Sequence, residues 1–261
     1  MSSNTLLLIV DAQIDFCHPE GALYVPGGAE DMERITQLIQ NKSDEIDEII
    51  VTLDSHQVLD IAHPGYWRDE KGNPPQPFTV ISSQDLENGK WQPIWEDAWT
   101  RTYLTTLEQQ GEFSHVIWPE HCILGTKGHA LDPNLAAALT ERAKKLGKNH
   151  QLVMKGINPF TEHFGLFEAQ VPRPDDEATH LNQKLLSMLA SYDQIWVCGE
   201  ARSHCVATSV KQILKYAPHL VAQITLLSDC MSDVAGLGHL ADPIYQEAEN
   251  YGAKWARSTD L

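Results

Sequence analysis

Basic residues are scarce in this chain: 19 lysines and arginines stand against 36 aspartates and glutamates, a formal net charge of −17. A surface this acidic repels phosphate backbones and anionic lipid, so nucleic acid and membrane surfaces are not expected as partners. Neutral, cationic or metal-bound ligands remain. Cysteine is sparse too, and the five present (Cys17, Cys122, Cys198, Cys205 and Cys230) form no CxxC pair and no even set. A disulfide framework is therefore not expected, and a reduced, cytoplasmic setting fits. Long apolar runs are missing. The run nearest the amino terminus, Leu6 to Val10, is too short for a signal peptide or a membrane span, and no basic region precedes it. No repeat, low-complexity tract or linker divides the 261 residues, which are read as one domain over 1–261 with a full core.

What is present is a set of short apolar runs, each delivering a polar residue at its end. Leu6–Val10 leads into Asp11, and Ile49–Leu53 leads into Asp54-Ser55-His56. Leu152–Met154 leads into Lys155, and Ile195–Cys198 leads into Gly199-Glu200-Ala201-Arg202-Ser203-His204-Cys205. Such runs, alternating with stretches of helical spacing, predict βαβ units and a mostly parallel sheet of about six strands between helix layers. Helical spacing of Val206, Val210, Ile213 and Leu214 predicts a helix from Ser203 to about Tyr216. A late strand is expected over Gln223–Leu227, and a closing helix from Asp242 to about Tyr251. In an open parallel sheet the carboxyl ends of the strands share one edge, where ligands bind. Asp11, Asp54, Lys155 and Cys205 can therefore converge on one pocket.

The stretch from 64 to about 114 breaks the alternation with Pro64, Pro74, Pro75, Pro77, Pro93 and four tryptophans, at 67, 91, 95 and 99. An insertion of this kind is a lid, a binding loop or an oligomer contact, or else a small subdomain over one sheet edge. It leaves room for a homo-oligomer.

Cys205 falls just past a predicted strand, where free N–H groups at a helix start lower a thiol pKa and hold an oxyanion. A lone cysteine is more often inert core, and Cys198, inside the strand, is read that way. Asp11 near Cys205 can take the thiol proton, and a neighbouring Lys155 can stabilise the thiolate. Asp54 and His56, with His63 and His121 further along, suit Zn, Mn or Fe(II). Among twelve histidines, some lie near an aspartate by chance.

Five islands resemble the nicotinamidase branch of the isochorismatase-like cysteine hydrolases. Asp11-Ala12-Gln13-Ile14-Asp15-Phe16 resembles its opening D-x-Q-x-D-F motif, and Asp54-Ser55-His56 its D-x-H metal motif. Trp118-Pro119-Glu120-His121-Cys122-Ile123-Leu124-Gly125-Thr126, Met154-Lys155-Gly156 and Gly199–Val206 resemble the W-P-x-H-C, lysine and nucleophile segments. The resemblance implies a single-domain three-layer α/β/α hydrolase with Asp11, Lys155 and Cys205 as a triad. It implies an oxyanion hole from the N–H groups of Ala201 and Cys205, after a cis Glu200–Ala201 peptide. One divalent ion, zinc or else Mn or Fe, would be held by Asp54, His56 and His121, with His63 as a further candidate. Phe16 and Trp118 would wall the substrate slot, with Glu162 and His204 beside them. The implied reaction is hydrolysis of a small amide, nicotinamide first, through a Cys205 thioester.

Some residues depart from the pattern. The segment Gln57–Ala62 does not match, and Thr161-Glu162-His163-Phe164 stands where relatives commonly carry an aspartate followed by Ser-Tyr-Ser. Glu200 is unusual: it would meet a polar substrate or point away. The rival readings are hydrolysis of a carbamoyl or ureido compound, a catalytically idle binding subunit, and a metal-dependent hydrolase in which Cys205 is only structural.

Overall fold

Residues 5–10 are apolar apart from Thr5 and wholly buried, and they form the central strand of the sheet. The computed structural model describes residues 4–111 and 114–261. Glu112 and Phe113, in the expected insertion, lie outside the described residues. The strands are β1 (Thr5–Val10), β2 (Glu48–Asp54), β3 (Trp67–Arg68), β4 (Gln92–Pro93), β5 (Gln151–Lys155), β6 (Gln194–Gly199), β7 (Ile224–Leu227) and β8 (Lys254–Ala256). The α-helices are α1 (Ile14–Cys17), α2 (Gly28–Lys42), α3 (Ser83–Glu87), α4 (Asp97–Gln110), α5 (Pro133–Leu146), α6 (Gln183–Leu189), α7 (Ala207–Tyr216) and α8 (Asp242–Asn250). No helix among the described residues is long and apolar enough to cross a membrane.

Six strands form one sheet in the order β5-β2-β1-β6-β7-β8, with every neighbouring pair parallel. The expected α/β architecture is therefore present. Side chains alternate across β1: Leu6, Leu8 and Val10 pack with α6, α7 and α8, while Leu7 and Ile9 pack with α2 and α5. This is the period of two that a strand imposes, and it builds the two helix layers. Local chemistry sets the helix ends. Asp132 accepts hydrogen bonds from the N–H groups of Asn134 and Leu135 at the start of α5, Pro133 opens it, and Gly147 at φ +65° closes it.

The sheet order reverses at β1. The chain runs outward through β2 to β5, then crosses back to pair β6 with the other side of β1. Asp11 thus leaves one strand of the switch point, and Gly199, which leads to Cys205, leaves the other. Asp54 and Lys155 sit directly opposite each other in the β2–β5 register.

The 64–111 stretch, with the antiparallel pair β3–β4, α3 and α4, folds over a core of its own. Tyr66, Trp67, Tyr103, Leu104 and Leu107 are buried there, and Trp91, Trp95 and Trp99 pack against them. The capping box of Ser82 and Asp85 starts α3. Trp118, just past this stretch, returns the chain to the pocket.

Gly199 has φ +106°, and a Cβ there would stand 2.0 Å from the Val10 carbonyl oxygen. That neighbour is backbone in the central strand pair, so it has little room to give. Gly199→Ala should cost about 2–4 kcal/mol of stability, read as a lower denaturation midpoint. An unchanged midpoint would show that the strand end tolerates a side chain.

Candidate active site

At the carboxyl edge of the sheet, β1, β2 and β5 deliver two acids and an amine to one buried point. Lys155 Nζ lies 2.8 Å from Asp11 Oδ2 and 3.0 Å from Asp54 Oδ1. It also donates to the His163 carbonyl at 2.9 Å and stands 3.7 Å from Cys205 Sγ. Burial works against the Lys155 charge, but the two carboxylates outweigh it and hold the ammonium well above its ordinary range. Burial raises Asp11 despite Lys155, which makes its carboxylate a stronger proton acceptor. Thr52 ties the Asp11 side chain to its own backbone: its hydroxyl donates to Asp11 Oδ1 at 2.5 Å and accepts the Asp11 N–H at 2.9 Å. Asp11 itself has φ +43°, a conformation that aspartate tolerates better than most residues.

Cys205 reaches this point on a turn wider than an α-helix. Residues Arg202–Val206 form a single π-type turn closed by the Val206 N–H on the Ala201 carbonyl at 3.2 Å, and α7 proper begins only at Ala207. The helix expected from Ser203 therefore starts four residues later, because an extra residue per turn is invisible to apolar spacing. The Glu200–Ala201 peptide is cis, as the resemblance implies. Burial pushes the Cys205 thiol well up, Lys155 opposes this, and the hydrogen bond to Asp11 raises it further. The resting pair is a thiol facing a carboxylate. Cys17, Cys122, Cys198 and Cys230 are also buried, and burial pushes each of them up, with Lys155 opposing this at Cys122.

His56, His63 and His121 meet on the other side of Asp54, one nitrogen of each within 4.8 Å of the others. Asp54 Oδ2 lies 3.1 Å from His56 Nε2 and 3.6 Å from His121 Nε2. Each ring is anchored through Nδ1: His56 to Asp60 Oδ2 (3.1 Å), His63 to the Gln57 carbonyl (3.2 Å), and His121 to the Pro119 carbonyl (2.8 Å). The Nε2 atoms of His56 and His121 therefore face Asp54, and His63 Nε2 lies 3.3 Å from His121 Nδ1. Burial opposes charge on His56, but Asp54 and Asp60 outweigh it and hold the ring well above its ordinary range, so a bound ion would take the place of that proton. Burial among the other two rings drops His63 to about 2, so it is a neutral imidazole. Three imidazoles and a carboxylate converging this way fit a divalent ion. The histidine that sequence ranks last, His63, stands as close as the others.

Phe16, Trp118 and His204 line the pocket above Cys205 and Ala201, and Trp118 meets the His204 ring edge-on at 5.4 Å. Glu162 lines it too. Burial pushes its carboxyl up to about 8, and Oε1 has no hydrogen-bond partner among the described residues. Phe164, Leu23 and Val234 complete the walls and carry no sequence signal that separates them from core. Glu200 does not line the pocket; it points away, toward Asp31 and Ser232. Gln13 and Asp15 of the first motif act one layer out. Gln13 bonds both the N–H and the carbonyl of Asp54 (2.7 and 2.8 Å), and Asp15 accepts the Cys122 N–H at 2.7 Å, beside His121.

No family model matches the chain. A nicotinamidase of Saccharomyces cerevisiae is 26% identical over 206 residues, covering 78% of this chain and 79% of that protein. The crystal structure of the yeast nicotinamidase bound to the inhibitor nicotinaldehyde superposes with a TM-score of 0.64 at 18% identity, over 97% of this chain and 99% of that one. The pyrazinamidase of Pyrococcus horikoshii, crystallised in complex with zinc, superposes with a TM-score of 0.57 at 18% identity, over 97% and 99% of the two chains.

The donor geometry predicts that His63 contributes to metal affinity as His56 and His121 do. His63→Ala should weaken divalent-ion affinity by at least about 10–100-fold, measured by competition with a chromogenic chelator. Full affinity in that variant would place His63 outside the ligand set.

Proposed function

We infer that this chain, a relative of the nicotinamidases within the isochorismatase-like hydrolases, hydrolyses a small carboxamide through a thioester on Cys205, with nicotinamide as the first substrate. The observation that carries the reading is the contact of one buried ammonium with Asp11 and Cys205 at the sheet switch point. An arrangement of base, cation and thiol serves acyl transfer, and the sequence and fold likeness to nicotinamidases supports the same class.

In this mechanism Asp11 accepts the Cys205 proton as Sγ attacks the amide carbon. Lys155 steadies both anions through the transfer, and it neither gives nor takes a proton. The N–H groups of Ala201 and Cys205 stabilise the oxyanion of the tetrahedral adduct. Asp11 then returns the proton to the departing nitrogen, ammonia leaves, and the acyl group remains on sulfur. Water, deprotonated by Asp11, attacks the thioester; the acid is released and the thiol is restored. A bound divalent ion, held by Asp54, His56, His63 and His121, would orient and polarise a ring nitrogen of the substrate. Phe16 and Trp118 supply flat apolar walls for an aromatic ring. Glu162 supports a second reading within the same chemistry, because its unpartnered oxygen can bond a polar amide other than nicotinamide.

Metal-loaded protein should release ammonia and nicotinate from nicotinamide in equal amounts. Cys205→Ala should lose about 1,000-fold or more in kcat while keeping its metal, measured by coupled ammonia assay and metal analysis. Turnover surviving in that variant would remove the thioester. Inert nicotinamide beside an active second amide would move the substrate assignment to the Glu162 reading.

A further inference from the structure

Behind the nucleophile turn, away from the pocket, two acidic side chains face each other in the interior. Glu200 is wholly buried, and its Oε2 accepts the Ser232 N–H at 3.2 Å. Asp31, near the start of α2, accepts the Ser232 hydroxyl at 2.5 Å on Oδ2 and the Arg34 guanidinium at 2.9 Å on Oδ1. Ser232 thus brings the two carboxyls together, one on its N–H and the other on its hydroxyl. Glu200 Oε1 has no hydrogen-bond partner among the described residues, a position in which a charged oxygen is costly and a protonated one is not. Burial raises Asp31 too, but Ser232 and Arg34 oppose it there, while Glu200 has no ion pair among the described residues, so Glu200 is the acid of the two.

Ser232 turns this pair into a clamp. Its N–H goes to Glu200, and its carbonyl accepts the Arg202 N–H at 2.8 Å, so one residue grips the chain on both sides of Ala201. Val234 continues the grip by donating its N–H to Ser203 Oγ at 3.0 Å. We propose that Glu200 is a positioning residue that must stay protonated, sharing its proton with Asp31 so that the Ser232 clamp holds the Ala201 N–H in register with Cys205. The inference rests on the amidohydrolase reading for its catalytic consequence, while the shared proton itself does not.

The groups facing Glu200 agree with a neutral acid. They are Asp31 and Arg34 on α2, Cys17 on α1, Asp233 after β7, Cys198 on β6 and Tyr245 on α8. Burial keeps Cys17, Cys198 and Tyr245 uncharged, and Arg202 binds Asp233 through two bonds of 2.9 Å. Burial first, and then Asp31, push Glu200 well above the carboxylate range.

The test compares metal-loaded wild type with Glu200→Gln, whose amide accepts from Ser232 and donates to Asp31 without titrating. An unfolded glutamate ionises near pH 4.3 while the folded one keeps its proton, so wild-type stability falls as pH rises above that value until the folded group ionises. The Tm of E200Q should therefore gain on wild type by about 3–5 °C per pH unit in that window. Wild-type kcat should also fall on the alkaline side, and E200Q should lack that fall while staying within about threefold of wild type near neutrality. Glu200→Ala, which strands the Ser232 N–H, should lose about tenfold in kcat with its metal retained. Parallel Tm profiles would overturn the shared proton, and superimposed kcat profiles would overturn the positioning role. If E200Q fails to fold, Asp31→Asn decides instead: an alkaline limb that does not move contradicts the pairing. If wild type hydrolyses no amide, the amidohydrolase reading fails separately, and the pH dependence of Cys205 alkylation replaces kcat.

Discussion

The buried ammonium of Lys155 is the constraint around which the site is arranged. Asp11 and Asp54 both approach it to within 3.0 Å in the interior of the sheet edge. Two carboxylates that close and that deep would repel each other without it, and breaking such a buried set by removing one partner costs about 3–5 kcal/mol. Lys155 is itself charged only because those carboxylates outweigh its burial. Each of the three groups therefore fixes the protonation state of the others, and the thiol 3.7 Å away inherits the field they make.

Asp54 joins two functions. One oxygen binds Lys155 and the other faces the histidine cluster, so the three imidazoles and the Lys155–Cys205 contact sit on opposite sides of one carboxylate. A double use of this kind needs a rigid mount. β2 supplies it through parallel pairing on both sides, and Gln13 adds two hydrogen bonds to the Asp54 backbone. Thr52 performs the same service for Asp11, and Asp60 for His56. A reacting group held by a second layer of hydrogen bonds meets its partners with little reorganisation.

Much of this was legible in the sequence, for a physical reason. Strands buried on both faces read as apolar runs, and the residue after each run has only one sheet edge on which to appear. Asp11, Asp54, Lys155 and the Cys205 turn follow from that alone, and the five islands order them. The π-type turn was not legible, because Val206 and Val210 keep helical spacing whether or not one wide turn precedes them. His63 carries a weaker sequence signal because Gln57–Ala62 matches no motif; a local loop, tied by the His63–Gln57 contact, carries the ring back. Leu23, Phe164 and Val234 are apolar residues whose pocket role depends on tertiary placement. The side to which Glu200 points depends on a turn geometry that no spacing encodes.

The central claim is that Asp11, held by Lys155, takes the proton from Cys205 and so makes this one buried thiol reactive. The most direct test is the rate at which iodoacetamide alkylates each of the five cysteines, in wild type and in Asp11→Asn. Cys205 should react far faster than the other four in wild type, and Asp11→Asn should slow it by about 100-fold or more with the others unchanged. Equal labelling of all five cysteines, or a Cys205 rate indifferent to Asp11, would contradict the account.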